Sequence, residues 1–228
     1  MSPPERPLRL GELVAETLHI YGERPRAALG LGAVVAGAFL VAQIVPTLLE
    51  VLVASLAFTA AYGAAARIVS GDSFPEALAQ VGVRAPVLAV LTLVVSIPFA
   101  IGYSVLFLLV LSVLWLAVAG FSIPVAMLER EGNKDGVFGR IAYALDRSLR
   151  LARVEYLHAA GIIAALVIAY FVFAVLIGSA LVGFADNGAV VAGALVRLVL
   201  APLFFLGLAV LYYEQRARAA VSSPGEAR

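Results

Sequence analysis

Between Arg84 and Glu129 the chain carries no Asp, Glu, Lys or Arg, a run of 44 uncharged residues made mostly of Leu, Val, Ala and Ile. A single helix of that length would measure about 66 Å, roughly twice the hydrocarbon thickness of a bilayer. Two spanning helices fit instead. Their break belongs near Pro98–Ser104, where Pro, Gly and Ser weaken a helix. Composition agrees: 63% of the residues are apolar and 14% charged, against about 25% charged in a soluble domain. The expected fold class is therefore an all-α, polytopic membrane helix bundle.

About 20 mostly apolar residues are needed per span. On that basis six spans are expected, at 27–45, 51–69, 85–103, 105–128, 157–184 and 189–213. Pro46, Thr47 and Glu50 mark one tight turn, and Asp186, Asn187 and Gly188 another. An odd count, with one pair misread, is the alternative, because the uncharged run has no internal charge to fix it. Residues 1–220 make a single membrane domain and 221–228 a disordered tail. The polar first 26 residues lack the short apolar core of a cleaved leader.

Basic residues then set the orientation. Arg6, Arg9, Arg24 and Arg26 precede the first span, and Arg67 and Arg84 lie between the second and third. Arg130, Lys134, Arg140, Arg147, Arg150 and Arg153 lie between the fourth and fifth, and Arg216, Arg218 and Arg228 follow the sixth. The three opposite loops contain no Lys or Arg. The positive-inside rule places both termini in the cytoplasm, in a plasma (inner) membrane. Arg-rich, Lys-poor, Ala- and Gly-rich usage suggests a GC-rich bacterial genome. Tyr212 and Tyr213 fall where an interfacial aromatic belt is expected.

Each cytoplasmic approach to a span carries an amphipathic segment. At about 100° per residue, Leu10, Leu13, Val14, Thr17, Leu18 and Tyr21 share one face, and Glu12, Glu16, His19 and Glu23 the opposite one. Ser73-Phe-Pro-Glu76 has the spacing of a capping box, with Pro in the first turn, and brings Phe74, Leu78 and Val81 together. In 137–156, Phe138, Ile141, Leu145, Leu149, Ala152 and Tyr156 oppose Arg140, Arg147, Arg150 and Arg153. Such a helix either lies in the membrane interface or packs on the bundle ends, and period alone does not separate the two. Opposite charge on the Glu12/Glu16/Glu23 and Arg140/Arg147/Arg150/Arg153 stripes would let the two helices pair. Anionic lipid would compete for the same Arg residues.

Three segments resemble a known group: Pro7-Leu-Arg-Leu-Gly-Glu-Leu-Val14 through Tyr21, Ala144-Leu-Asp-Arg-Ser-Leu-Arg-Leu-Ala152, and Leu211-Tyr-Tyr-Glu-Gln-Arg-Ala-Arg218. Together they resemble the membrane domain of glycerophosphoryl diester phosphodiesterases and its free-standing bacterial relatives. The resemblance implies a multi-helix membrane domain. It does not imply phosphodiesterase activity, because in fused members the catalytic residues belong to a separate soluble barrel. Glu214 stands where the family usually has Asp.

Little in the chain points to chemistry. There is no cysteine, which removes thiolate metal sites and a thiol nucleophile. A net charge of +1 argues against nucleic acid. Both histidines occur as Glu-x-x-His, Glu16–His19 and Glu155–His158, a spacing used in di-iron bundles, yet near the membrane surface. No metal or other cofactor is expected. Gly132-Asn-Lys-Asp-Gly136 is a turn and not a phosphate loop, and Ser122 lacks the glycines of a nucleophile elbow. Ala57, Ala61, Gly63, Ala64 and Ala65 allow close helix packing within the chain. Away from the span ends, Arg197 alone is charged inside a span, about 12 Å from its outer end. Glu50 and Asp186 are its candidate partners. The site reads as an anion or headgroup pocket, or as a structural pair or a snorkelling side chain. The expected function is a non-enzymatic domain that binds membrane lipids, a protein partner or a second copy. A transporter or channel subunit with a polar site at Arg197 is the alternative.

Overall fold

The computed structural model describes residues 6–102, 106–129, 136–181 and 188–222. Asp186, the 132–135 loop and residues 223–228 lie outside these. Among the described residues there are ten helices and no strand: α1 (Leu10–Glu23), α2 (Pro25–Ala42), α3 (Thr47–Val69), α4 (Phe74–Val83), α5 (Ala85–Gly102), α6 (Leu106–Ala119), α7 (Ser122–Leu128), α8 (Val137–Val154), α9 (Tyr156–Leu181) and α10 (Gly188–Ser222). Five stretches are each long and apolar enough to cross a membrane: Pro25–Ala42, Leu49–Val69, Val110–Leu128, Tyr156–Leu181 and Gly188–Ser222. The pair α4 and α5, bent by 87°, makes a sixth only where the two are counted as one span. The fold is a multi-pass helix bundle.

Local chemistry sets most boundaries. Gly71, at φ +116°, turns the chain out of α3, a conformation that glycine adopts without steric cost. Ser73 and Glu76 then close the expected capping box: the Ser73 N–H donates to Glu76 Oε2 at 3.0 Å. The Arg9 N–H likewise donates to Glu12 Oε2 at 2.8 Å at the start of α1. These backbone N–H groups hold the carboxyls of Glu12 and Glu76 below the ordinary carboxylate range. The turn before α3 is tighter than expected. Pro46 is extended and Thr47 already opens the helix, so Glu50 stands in its first turn, where the helix dipole favours an acid. The expected fourth span is two helices. At the break a Cβ on Gly120 would lie 2.4 Å from the Leu116 carbonyl oxygen. At the other end of the chain, Val221 and Ser222 belong to α10 and not to a tail.

α3 and α10 form the centre. Ala61, Ala64 and Ala65 are at most 1% exposed, and a Cβ on Gly63 would meet Met127 Cγ at 3.3 Å. The small residues of α3 therefore pack inside the chain. Within this interior the hydroxyls of Thr92 and Thr59 share a hydrogen bond of 2.7 Å. By contrast, Ile168, Phe171, Val172, Phe173, Val175 and Leu176 of α9 are each at least half exposed. A face this apolar is suited to hydrocarbon and not to water.

The amphipathic helices gather at the end of the bundle that holds Leu8 and the last turns of α10. On α1, Leu13, Thr17 and Ile20 are buried, whereas Leu10, Val14 and Leu18 are 39–54% exposed. On α8, Ile141, Ala144, Ser148, Leu151 and Ala152 are buried, whereas Phe138 and Leu149 are exposed. The single apolar faces read from period are thus split. One half packs on the bundle and the adjacent half is left uncovered.

Candidate functional site

α10 has 35 residues, about 52 Å of helix, and outruns a hydrocarbon core of about 30 Å. Its last turns form the centre of a polar clasp. Tyr212, Tyr213, Glu214 and Gln215 are all buried. The two tyrosines are therefore not a lipid-facing belt, as their position suggests. The Tyr213 hydroxyl donates to the Ala66 carbonyl at 3.4 Å, and the Tyr212 hydroxyl donates to Glu129 Oε1 at 3.0 Å.

Glu129 caps α7 and gathers three donors. Besides Tyr212, it accepts from the Tyr143 hydroxyl at 2.8 Å and from Arg147 Nε at 3.2 Å. Its side chain is 9% exposed, so it is the link between α7, α8 and α10. A buried carboxylate is tolerable when hydrogen bonds and an opposite charge replace its water. Ser148 Oγ adds a bond to the Val118 carbonyl at 2.5 Å, and the Tyr156 hydroxyl one to Leu114 at 3.2 Å.

Glu214 is the second node, with a side chain fully shielded from solvent. It accepts from Arg218 one turn on and from Gln215 Nε2 at 3.0 Å. Arg218 also pairs with Glu155 and donates to the Leu8 carbonyl at 3.3 Å. It thereby ties the N-terminal segment and the start of α9 to the end of α10. His158 Nε2 lies 3.2 Å from Arg218 Nη2 and 3.5 Å from Glu214 Oε1. The first contact suits an unprotonated nitrogen and the second a protonated one. Gln215 Oε1 is buried with no hydrogen-bond partner among the described residues.

Neighbouring contacts extend the clasp around the same end. Arg24 Nη1 donates to the carbonyls of Ile68 and Asp72 at 3.0 and 3.2 Å. Arg67 pairs with Asp72 at 2.6 Å, and Arg84 donates to the Ala126 carbonyl. These bonds join the start of α2 to the end of α3, and the start of α5 to the end of α7.

Among the described residues, Glu12, Glu16 and Glu23 of α1 make no ion pair with Arg147, Arg150 or Arg153 of α8. Arg6 takes Glu12 at 3.1 Å and His19 lies 3.4 Å from Glu23. Arg147 pairs with Glu129 and Arg150 with Asp146 at 3.0 Å. Glu16 and Arg153 have no partner among the described residues. The acidic stripe of α1 is turned away because Leu13, Thr17 and Ile20 dock it on the bundle, so nearer charges supply the partners. His19 lies beside Glu23 in place of Glu16, and His158 turns to Glu214 and Arg218. Among the described residues no three His, Cys, Asp or Glu are placed to hold a metal ion.

Arg197 is half-buried in α10. Its Nη1 donates to the Gly193 carbonyl at 3.0 Å, and its guanidinium carbon stands 3.8 Å over the Phe39 ring. The side chain thus bends back one turn toward the Gly188 end. Glu50 is exposed on α3 and makes no ion pair with Arg197 among the described residues, and Asp186 lies outside them. Among the described residues an aromatic face and a carbonyl, and not Glu50, meet the guanidinium.

Sequence reasoning missed Glu129, Tyr143 and the burial of Glu214. The available signals were slight: Glu129 is the first charge after the 44-residue run, and Glu214–Arg218 has i,i+4 spacing. Comparisons with protein-family models, curated proteins and solved structures return no match.

Proposed function

We propose that this chain is a non-enzymatic binding domain of a bacterial plasma membrane, with both termini cytoplasmic, that holds lipid or a partner protein and supports an activity carried elsewhere. The observation that carries this reading is the separation between a packed apolar interior and a charged clasp confined to one end. The groups with acid–base capacity, Glu129, Glu155, His158 and Glu214, are engaged in holding helix ends together. The three segments that resemble the phosphodiesterase membrane domain lie together in this fold. They converge on the clasp, through Leu8, Ser148, Tyr212, Glu214 and Arg218. The Arg distribution supports a cytoplasmic clasp.

A transporter or channel subunit is the second reading, favoured by a half-buried Arg inside a span. Arg197 is occupied by Phe39 and Gly193, which suits a side chain reaching toward the outer interface better than one lining a path. Two measurements on the purified protein separate these readings. Native mass spectrometry should show retained phospholipid or a stoichiometric partner, and proteoliposomes should pass anions no faster than protein-free vesicles. Anion flux abolished by Arg197→Leu would overturn the binding reading. Reporter fusions after Gly71, Gly136 and Arg218 should read cytoplasmic, and one after Asn187 external. A cytoplasmic signal at Asn187 would overturn the orientation.

A further inference from the structure

We infer that the uncovered half-face of α8 is a seat for anionic phospholipid of the leaflet at the clasp end. This rests on the binding reading and names the ligand class for one surface.

The argument begins with the order of faces around α8. Ile141, Ala144, Ser148 and Leu151 dock it on the bundle. The next arc holds Phe138, 86% exposed, and Leu149, 42% exposed. Beside that arc come Arg153, Arg150 and Asp146, at about 100° per residue. A helix showing core, apolar and charged faces in that order fits a bilayer interface, with its apolar arc in acyl chains and its cations at headgroup level.

Depth agrees with this placement. Ser148 is bonded to the Val118 carbonyl and Tyr156 to the Leu114 carbonyl. Ser148 thereby straps α8, and Tyr156 the start of α9, alongside the last turns of α6, inside a candidate span. Phe138 and Leu149 are then exposed apolar side chains on a helix held at that depth.

Charge selects the lipid. Arg153 has no partner among the described residues. Arg150 is paired with Asp146, but both are more than half exposed, and a pair so exposed is weak. A phosphate-bearing anionic headgroup gives Arg153 a partner and competes with Asp146 for Arg150. α1 makes the contrast. Its uncovered row of Leu10, Val14 and Leu18 is equally apolar, but its polar arc is Glu12, Glu16, His19 and Glu23. It should enter the same interface with no preference for anionic lipid.

The absence of cysteine makes the test direct. Leu149→Cys and, separately, Val14→Cys are labelled with a lipid-sensitive fluorophore. The full chain is reconstituted in phosphatidylcholine vesicles containing equal small fractions of brominated phosphatidylglycerol or brominated phosphatidylcholine. Both brominated lipids should quench the label at 149, and the anionic one should do so more strongly. Local enrichment is expected at up to roughly fivefold per arginine at low salt. Arg150→Gln with Arg153→Gln should bring the two quenchers to parity, and Arg150→Lys with Arg153→Lys should keep the preference. The label at 14 should be quenched equally by both. A label at 149 that neither lipid quenches, equal quenching in the wild type, or a preference surviving the double Gln substitution would each overturn the seat. If lipid is still retained in native mass spectrometry, that failure leaves the binding reading standing; anion flux dependent on Arg197 would remove the reading itself.

Discussion

Gly32 of α2 stands against the Leu198 carbonyl of α10 so closely that a Cβ at position 32 would lie 1.9 Å from the oxygen. Leu198 is four residues before Pro202, which has no N–H to return to it. Gly32 therefore stands against the carbonyl that loses its α-helical donor. A glycine Cα is the group that can come that near, and its C–H can serve as a weak donor in place of the missing one.

Gly32→Ala should accordingly destabilise the bundle. Overpacking of this kind costs about 1–3 kcal/mol, and here the obstacle is backbone on both sides, which cannot turn aside as a side chain can. Gly37→Ala is the matched control, because a Cβ there meets nothing within 4 Å. Melting in detergent should place Gly32→Ala well below wild type and Gly37→Ala at or above it. Equal melting of the two variants would refute the close contact.

Arg218 and Glu214 should behave as a unit. Removing one partner of a buried pair typically costs about 3–5 kcal/mol, largely because a charge is left uncompensated. Glu214 is the more shielded partner, its side chain 0% exposed against 20% for Arg218. Arg218→Met should therefore unfold the clasp end far more than a surface change would. Adding Glu214→Leu should restore part of the loss by removing the stranded carboxylate. A double variant no more stable than Arg218→Met would show that the pair is not coupled as described.

Acid should act on the helix starts. Glu12 and Glu76 have carboxyls held below the ordinary range, chiefly by the N–H groups of Arg9 and Ser73. A depressed folded-state pKa contributes stability above the unfolded value and loses it as pH falls through the folded one. The first turns of α1 and α4 should thus fray at acidic pH while the spans persist. Amide hydrogen exchange at Arg9, Leu13, Ser73 and Ala77, whose N–H groups are bonded there, should rise with acidification, after correction for intrinsic rates. Glu12→Gln and Glu76→Gln should show the raised exchange already at neutral pH.

Much of this bundle was legible in the sequence, and the limits have a physical origin. Span positions follow from length and hydropathy, because hydrocarbon thickness imposes both. The capping box at Ser73 was readable because its partner is three residues away. Period identified the apolar faces of α1 and α8 but not what covers them, so the division between Leu13 and Leu10, or between Ile141 and Phe138, was not visible. Tyr212 carried two meanings, a belt residue or a buried donor. The choice rests on Glu129, 83 residues away. Such pairings depend on how helices are arranged in space, and local spacing does not encode that.

Arg197 and Phe39 provide the last prediction. A guanidinium 3.8 Å over a ring centroid is within the range where the cation is attracted to the ring face. Such contacts are worth about 0.5–1 kcal/mol when exposed and about 2 when desolvated. Arg197 is half-buried, so the coupling should fall between those limits. Each single variant, Arg197→Leu and Phe39→Leu, should lower the melting temperature. The double variant should lose less than the sum, because the second change finds the contact already gone. Arg197→Lys should keep a charge over the ring and be milder than Arg197→Leu. Glu50→Gln should cost no more than its helix-dipole contribution, about 0.3–1 kcal/mol, and the same in the Arg197→Leu background, since Glu50 makes no ion pair with Arg197 among the described residues. A strong effect of Glu50→Gln that disappears in the Arg197→Leu background would restore the carboxylate as the true partner and displace Phe39 from that role.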